Sequence, residues 1–123
     1  MKVIVIPTSL SDKPYLAEVE GYHLRTWYSI IGCRCIDVVE IQYSDKDSID
    51  CIVDDEGMIN GSPVNQYWAR AYKKGFCYNP LFGITLITMT NTDNGETIDL
   101  DIPRIKEELI NHYGFTKEEL NNV

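Results

Sequence analysis

No run of eighteen apolar residues occurs in this 123-residue chain, so no segment is long enough to cross a bilayer as a helix. The apolar start, Lys2 to Ile6, is stopped by Pro7 far too early for a secretory signal. A soluble, unexported, cytoplasmic protein is expected, with no membrane partner. Histidine is scarce: His23 and His112 stand far apart and no Cys-x-x-Cys knuckle accompanies them, so no metal is expected. Glycine-rich phosphate loops are missing in both the Gly-x-Gly-x-x-Gly and the Gly-x-x-x-x-Gly-Lys-Ser/Thr forms, as is a Gly-x-Ser-x-Gly elbow. Nothing calls for a cofactor. Positive charge is short, with eleven Lys and Arg against nineteen Asp and Glu and a formal net charge of -8. Such a field repels polyanions, which excludes long DNA or RNA unless the basic residues gather on one face. Two or three arginines in a pocket can still hold a pyrophosphate by bidentate bonds.

Four cysteines are present, Cys33, Cys35, Cys51 and Cys77. Without a secretory signal they read as buried thiols rather than disulfides. Size scaling allows a chain of this length to bury roughly two thirds of its unfolded surface, so one core suffices and residues 1–123 are read as a single domain.

Strands are expected at 2–6, 15–19, 35–43 and 49–53; the third is expected to be largely buried, and the last two form a hairpin across Asp45-Lys46-Asp47-Ser48. From Gly21 the apolar period becomes helical, with Leu24, Trp27, Tyr28 and Ile31 on one face and Gly32 as the stop. Ser62-Pro63 reads as the N-cap and first turn of a second helix, in which Val64, Tyr67, Trp68, Ala71 and Tyr72 keep the spacing up to Gly75. Residues 76–82 form an aromatic loop, 83–90 a strand, 91–95 a turn and 97–100 a short strand. Ile102, Pro103, Ile105 and Leu109 open a third helix closed by Gly114. Thr116 with Glu119 then forms a capping box for a helical end, with Phe115 stapled to Leu120. The expected class is α+β, an antiparallel sheet with three to four short helices.

Candidate chemistry is sparse. No cysteine has a histidine within the local signatures of thiol enzymes, although distant residues can meet in space. Asp54, Asp55 and Glu56 could hold a hard cation, but they lack the ligand pattern of an EF-hand and read first as the solvated end of a strand. For a nucleotide the chain offers aromatic faces (Trp27, Tyr67, Trp68, Phe76, Tyr78, Phe82) and arginines (Arg25, Arg34, Arg70, Arg104). Helical spacing assigns Trp27, Tyr67 and Trp68 to the core first. Phe82, between Pro80 and Gly83, is either a core plug or the floor of a pocket. Asn91, Thr92, Asp93 and Asn94 crowd donors and acceptors into a turn, which turn chemistry alone can explain. Arg104 lies in the first turn of a helix, against the macrodipole, and asks for a negative partner; Asp101 and Glu107 are near in sequence.

The order of these pieces resembles a small domain of phages and mobile elements without an assigned function. The likeness rests on Ile30-Ile31-Gly32, Cys35-Ile36-Asp37-Val38-Val39, Asp54-Asp55-Glu56-Gly57, Asn60-Gly61-Ser62-Pro63-Val64-Asn65 and Phe82-Gly83, and spans about residues 21–100. The Asn79-Pro80-Leu81-Phe82-Gly83 loop, the closing helix and the chain length are similar to the Thoeris anti-defence family, phage proteins that sequester nucleotide signals made by bacterial immune systems. That resemblance implies a sponge rather than an enzyme. It would be a homodimer or higher homo-oligomer that binds a cyclic ADP-ribose isomer without cleaving it, so that the host effector is never activated; some relatives also hold cyclic oligonucleotides at a second site. It implies Phe82 as a base-stacking residue and Asn91 or Thr92 as a polar contact, while Arg25 and Arg104 are assigned to phosphate on physical grounds alone. Two other classes stay open: an acidic decoy that binds a host protein, and a small enzyme with a Cys/His or carboxylate site assembled in space.

Overall fold

Two stretches, Ile49 to Val53 and Thr85 to Met89, are buried on both faces and form the centre of the fold. A computed structural model describes residues 1–19, 24–77 and 79–123, with residues 24–26 as backbone only. The elements run β1 (Lys2–Ile6), β2 (Tyr15–Glu18), α1 (Leu24–Ile31), β3 (Ile36–Tyr43), β4 (Asp47–Asp54), α2 (Gln66–Lys73), β5 (Thr85–Asn91), β6 (Thr97–Ile98) and α3 (Ile102–Tyr113). The strands form one antiparallel sheet of order β2-β1-β5-β4-β3, with β6 also on β5. The class is α+β, as expected, with three helices among the described residues.

Strand alternation divides the core in two. Ile4, Ile6, Ile49, Cys51, Ile87 and Met89 point to the face covered by α2 and α3, where they meet Trp68, Ile105 and Leu109. Val3, Val5, Ile52 and Leu86 point to the other face and pack with Trp27 of α1. Trp68 organises the first layer: its ring meets Tyr113 and Phe115 edge-on at 5.6 and 5.5 Å, and its indole N–H donates to Thr85 Oγ1 at 2.8 Å. That bond lets a threonine in the central strand be fully buried without an unsatisfied hydroxyl.

Four expectations need correction. β3 is not a buried strand: it ends the sheet, and most of its residues are exposed, Val38 by 49% and Val39 by 40%. Its β-branched run reflects strand propensity, which an edge and a central strand share. The second helix begins at Gln66, not Pro63, because Asn65 is the cap that accepts from the Tyr67 and Trp68 amides, while Val64 is extended and bridges to Phe82. The Thr116–Glu119 box does form, with each backbone amide bonded to the other side chain, yet residues 117–121 are turns rather than an α-helix. Asn122 there leaves to bridge Tyr15, and Glu119 is drawn to Arg70. The cysteines are free thiols, but only Cys51 is buried; Cys33 and Cys77 are half-buried and Cys35 is exposed. The expected start of α1 at Gly21 lies outside the described residues.

Candidate functional site

The loop that carries Phe82 is tied down by one buried side chain. Asn65 Nδ2 donates to the carbonyls of Ile6, Pro7 and Gly83 at 3.2, 3.1 and 3.0 Å, while its Oδ1 caps α2. The Asn65 amide donates in turn to Leu81 O, and the Gly83 amide to Pro63 O. Phe82 is thus clamped between the start of α2 and the end of β1. Gly57 approaches it from the other side: a Cβ there would sit 3.1 Å from Phe82 Cβ and 3.2 Å from its carbonyl oxygen. The glycine of the Asp54-Asp55-Glu56-Gly57 step is needed for this close approach.

Two hollows flank that loop. One, of about 290 Å³, is lined by Phe82, Pro80, Val53, Gly57 and Met58, with Asp54 and Asp55 beside them. The other, of about 250 Å³, has Cys51 and Trp68 at its base and Val39, Phe76, Cys77 and Tyr113 around them. Asn79 and Leu81 border both. Each is near the lower end of the range for small-molecule pockets, roughly 300–1,000 Å³. Asp54 is engaged within its own loop, accepting from the Glu56 amide and from Asn60 Nδ2, whereas Asp55 is exposed. An aromatic ring beside carboxylates suits a nucleoside, with the ring stacking on a base and the carboxylates accepting from ribose hydroxyls or an exocyclic amine.

The other candidate residues do not join Phe82. It precedes the seven-residue strand β5, whereas Asn91 ends that strand and Thr92 follows it; at about 3.3 Å per residue they are roughly 20 Å away. Asn91 Oδ1 accepts from the Asp93 amide, and Thr92 Oγ1 donates to Ser44 O, so both work as turn chemistry within this chain. Arg104 lies at the Asn91 end and has its negative partner, though neither of the two near in sequence: Nη1 donates to Asp47 Oδ1 at 2.8 Å and Nε to Gln42 Oε1 at 2.7 Å. Asp101 instead caps α3. The Arg25 side chain lies outside the described residues, as does Tyr78.

Positive charge gathers elsewhere. Arg70, Lys73 and Lys74 line a hollow of about 620 Å³ on α2 with Leu10, Val64 and Gln66. Arg70 already grips Glu119 through both Nη atoms, at 2.9 and 2.7 Å, and packs over Tyr67 and Phe115. The thiols are poorly suited to nucleophilic work. Burial pushes Cys51 up to about 12 and raises Cys33 and Cys77, while a hydrogen bond to Glu56 raises Cys35. Among the described residues no group of three His, Cys, Asp or Glu side chains is placed to hold a metal ion, and no helix is long and apolar enough to cross a membrane.

A family model described as a domain of unknown function, DUF3846, matches residues 1–113. The chain belongs to DUF3846. The match reaches well beyond the 21–100 span of the likeness noted in the sequence, taking in β1, β2 and all of α3. No curated protein and no solved structure matches this DUF3846 chain. The family description carries no activity and does not point to phages or to Thoeris.

Sequence reasoning missed three residues that shape these hollows. Tyr113 reads as the last turn of a helix, Gly57 as the end of a strand, and Asn65 as part of a turn motif. The spacing Pro63-x-Asn65 ahead of an apolar helical face was the available signal for Asn65 as a cap.

Proposed function

We propose that this DUF3846 protein is a phage anti-defence sponge. In the cytoplasm of an infected bacterium it binds a cyclic ADP-ribose isomer without cleaving it and keeps the signal from the Thoeris effector. The observation that carries this reading is the Phe82 hollow, where a clamped aromatic residue sits beside the carboxylates of Asp54 and Asp55. These groups serve the base and ribose of a nucleotide and repel its phosphates. Two described arginines, Arg70 and Arg104, are committed to Glu119 and Asp47. Arg34 is exposed and precedes Cys35, whose carbonyl accepts from the Asp55 amide, so it is a described cation beside this hollow for the pyrophosphate. The exposed Lys73 and Lys74 of a second copy could add to it. The homodimer or higher homo-oligomer of this reading rests on the resemblance to the anti-defence family.

The test is calorimetric titration of the purified chain with cyclic ADP-ribose isomers, followed by heat denaturation and mass spectrometry of the released ligand. Tight binding and recovery of intact ligand are expected; a hydrolysed product would overturn the sponge. Phe82→Ala should weaken binding by about 1–3 kcal/mol if the ring stacks on the base. Unchanged affinity in a folded Phe82→Ala protein would remove this hollow from the site.

A second reading has its own observation. Met58 and Ile59 are 71% and 83% exposed in the loop that follows Asp54, Asp55 and Glu56. An apolar tip beside carboxylates suits a decoy that docks on a host protein. A stoichiometric host complex lost in Ile59→Asp, with no small-molecule binding, would favour it over the sponge.

A further inference from the structure

β3 closes one side of the sheet, and its outer edge offers a row of backbone groups to a partner strand. Cys35 O accepts from the Asp55 amide at 3.1 Å, and the Asp37–Val53 and Val39–Cys51 pairs follow at two-residue intervals. By antiparallel alternation these residues bond towards β4, so the N–H and C=O groups of Ile36, Val38 and Glu40 face outward. At Val38 the outward amide donates to the neighbouring Asp37 Oδ1 at 2.8 Å. A side chain one residue away occupies a donor that none of the described strands pairs with.

The surroundings of this edge are specific. Val38 and Val39 are exposed, and Val39 stands at the rim of the 250 Å³ cavity whose base is Cys51 and Trp68. Asp37 and Glu40 bracket the two valines. The bulge between Glu40 and Gln42 interrupts the regular register just beyond, which confines the usable edge to about one short strand.

We propose that the β3 edge accepts an extended segment of a basic partner protein as an added antiparallel strand, with one large apolar side chain of that segment entering the cavity beside Val39. Main-chain bonds to Ile36, Val38 and Glu40 supply affinity, and the cavity and the two carboxylates supply selectivity. The fitting pattern is Lys/Arg, apolar, apolar, Lys/Arg, with the basic residues opposite Glu40 and Asp37 and the apolar ones opposite Val39 and Val38. A second copy of this chain fits badly, because self-pairing centred on the outward-facing Val38 would set Asp37 of each copy opposite Val39 of the other and so bring a carboxylate to the apolar cavity. The proposal concerns a different hollow from the Phe82 site and stands apart from the nucleotide reading.

The experiment uses the full chain and blocked synthetic peptides centred on Lys-Phe-Val-Lys, with fluorescence anisotropy for affinity and amide NMR for location. Saturable binding with shifts at Ile36, Val38 and Glu40 is expected. A peptide N-methylated at the residue that pairs with Val38 should lose at least about tenfold in affinity, because it cannot complete the ladder. That control alters the peptide alone, so it does not depend on a variant protein folding. Charge exchange gives the second arm: Asp37→Lys/Glu40→Lys should reject Lys-Phe-Val-Lys and accept Glu-Phe-Val-Glu. Equal affinity for the N-methylated peptide, no peptide binding at all, or self-association of the chain through β3 would each overturn the proposal.

Discussion

The Asn65 side-chain amide donates to the Gly83 carbonyl at 3.0 Å, which joins the first turn of α2 to the loop that presents Phe82. The same amide reaches Ile6 and Pro7 of the opposite connection, so one fully buried residue serves three segments. Asn65→Ala removes the helix cap and leaves buried carbonyls without donors. A loss of about 2–4 kcal/mol is expected in urea unfolding. Asn65→Asp keeps the capping oxygen but turns a second oxygen towards those carbonyls, so it should be no more stable than the alanine variant. An aspartate variant of wild-type stability would refute this account of the hub.

Gly57→Ala tests the packing against Phe82. The added methyl meets Phe82 Cβ and its carbonyl oxygen, both tighter than ordinary contact, and neither is the free end of a flexible side chain. The loop must shift. A cost of about 1–3 kcal/mol is expected from overpacking, together with weakened nucleotide binding. Gly61→Ala is a useful comparison, since its cost arises from its positive φ of 72° with no atom within 4 Å. It should reduce stability while leaving ligand affinity unchanged.

The Arg70–Glu119 pair makes stability depend on pH. The bidentate Arg70 bond holds the Glu119 carboxyl below its ordinary range, against the opposing effect of burial and with help from the Thr116 amide. A group depressed in the folded state contributes stability above its unfolded pKa, and that contribution is lost as pH falls through the folded value. Glu119→Gln should therefore cost about 1–3 kcal/mol at pH 7, and the gap to wild type should shrink as pH falls from about 5 towards about 3. Urea titrations at several pH values check this; a gap that is constant with pH would contradict it.

Thiol labelling should follow exposure and hydrogen bonding. With iodoacetamide at pH 8, Cys35 is expected to react first, though more slowly than a free cysteine peptide because Glu56 raises its pKa. Cys51, pushed up to about 12 by burial, should label only on unfolding. Glu56→Gln should accelerate Cys35 and leave Cys51 protected, as read by intact-mass and peptide-mass spectrometry.

Much of the fold was legible because its signals are local. The helical spacing of Trp27, Tyr67 and Trp68, the Gly114 stop at φ 76° and the hairpin turn that returns the chain into residues 49–53 each depend on neighbours in the chain. What could not be read depends on which strand lies beside which. The β-branched run of β3 looks like a central strand until the order β2-β1-β5-β4-β3 puts it at the edge. Likewise Arg104 finds Asp47 rather than Asp101 or Glu107, because α3 crosses the start of β4. Phe82 was recognisable as an unusual loop aromatic, but its hollow is made by Gly57 and Val53, which sequence distance hides.

The position of β5 sets the order in which the chain can assemble. Among the described residues the β1–β2 and β3–β4 hairpins have no strand pairing with each other, and both pair with β5. During synthesis at about 5–20 residues per second, the roughly eighty residues from the end of β1 to the start of β5 take some 4–16 s to appear. From the end of β4 at Asp54 until β5 appears, the nascent protein holds two separate hairpins, each at best marginally stable. Cooperative folding begins when β5 slots between them. A ribosome-stalled chain should accordingly pass from protease-sensitive to protease-resistant in one step as residues 85–91 clear the exit tunnel.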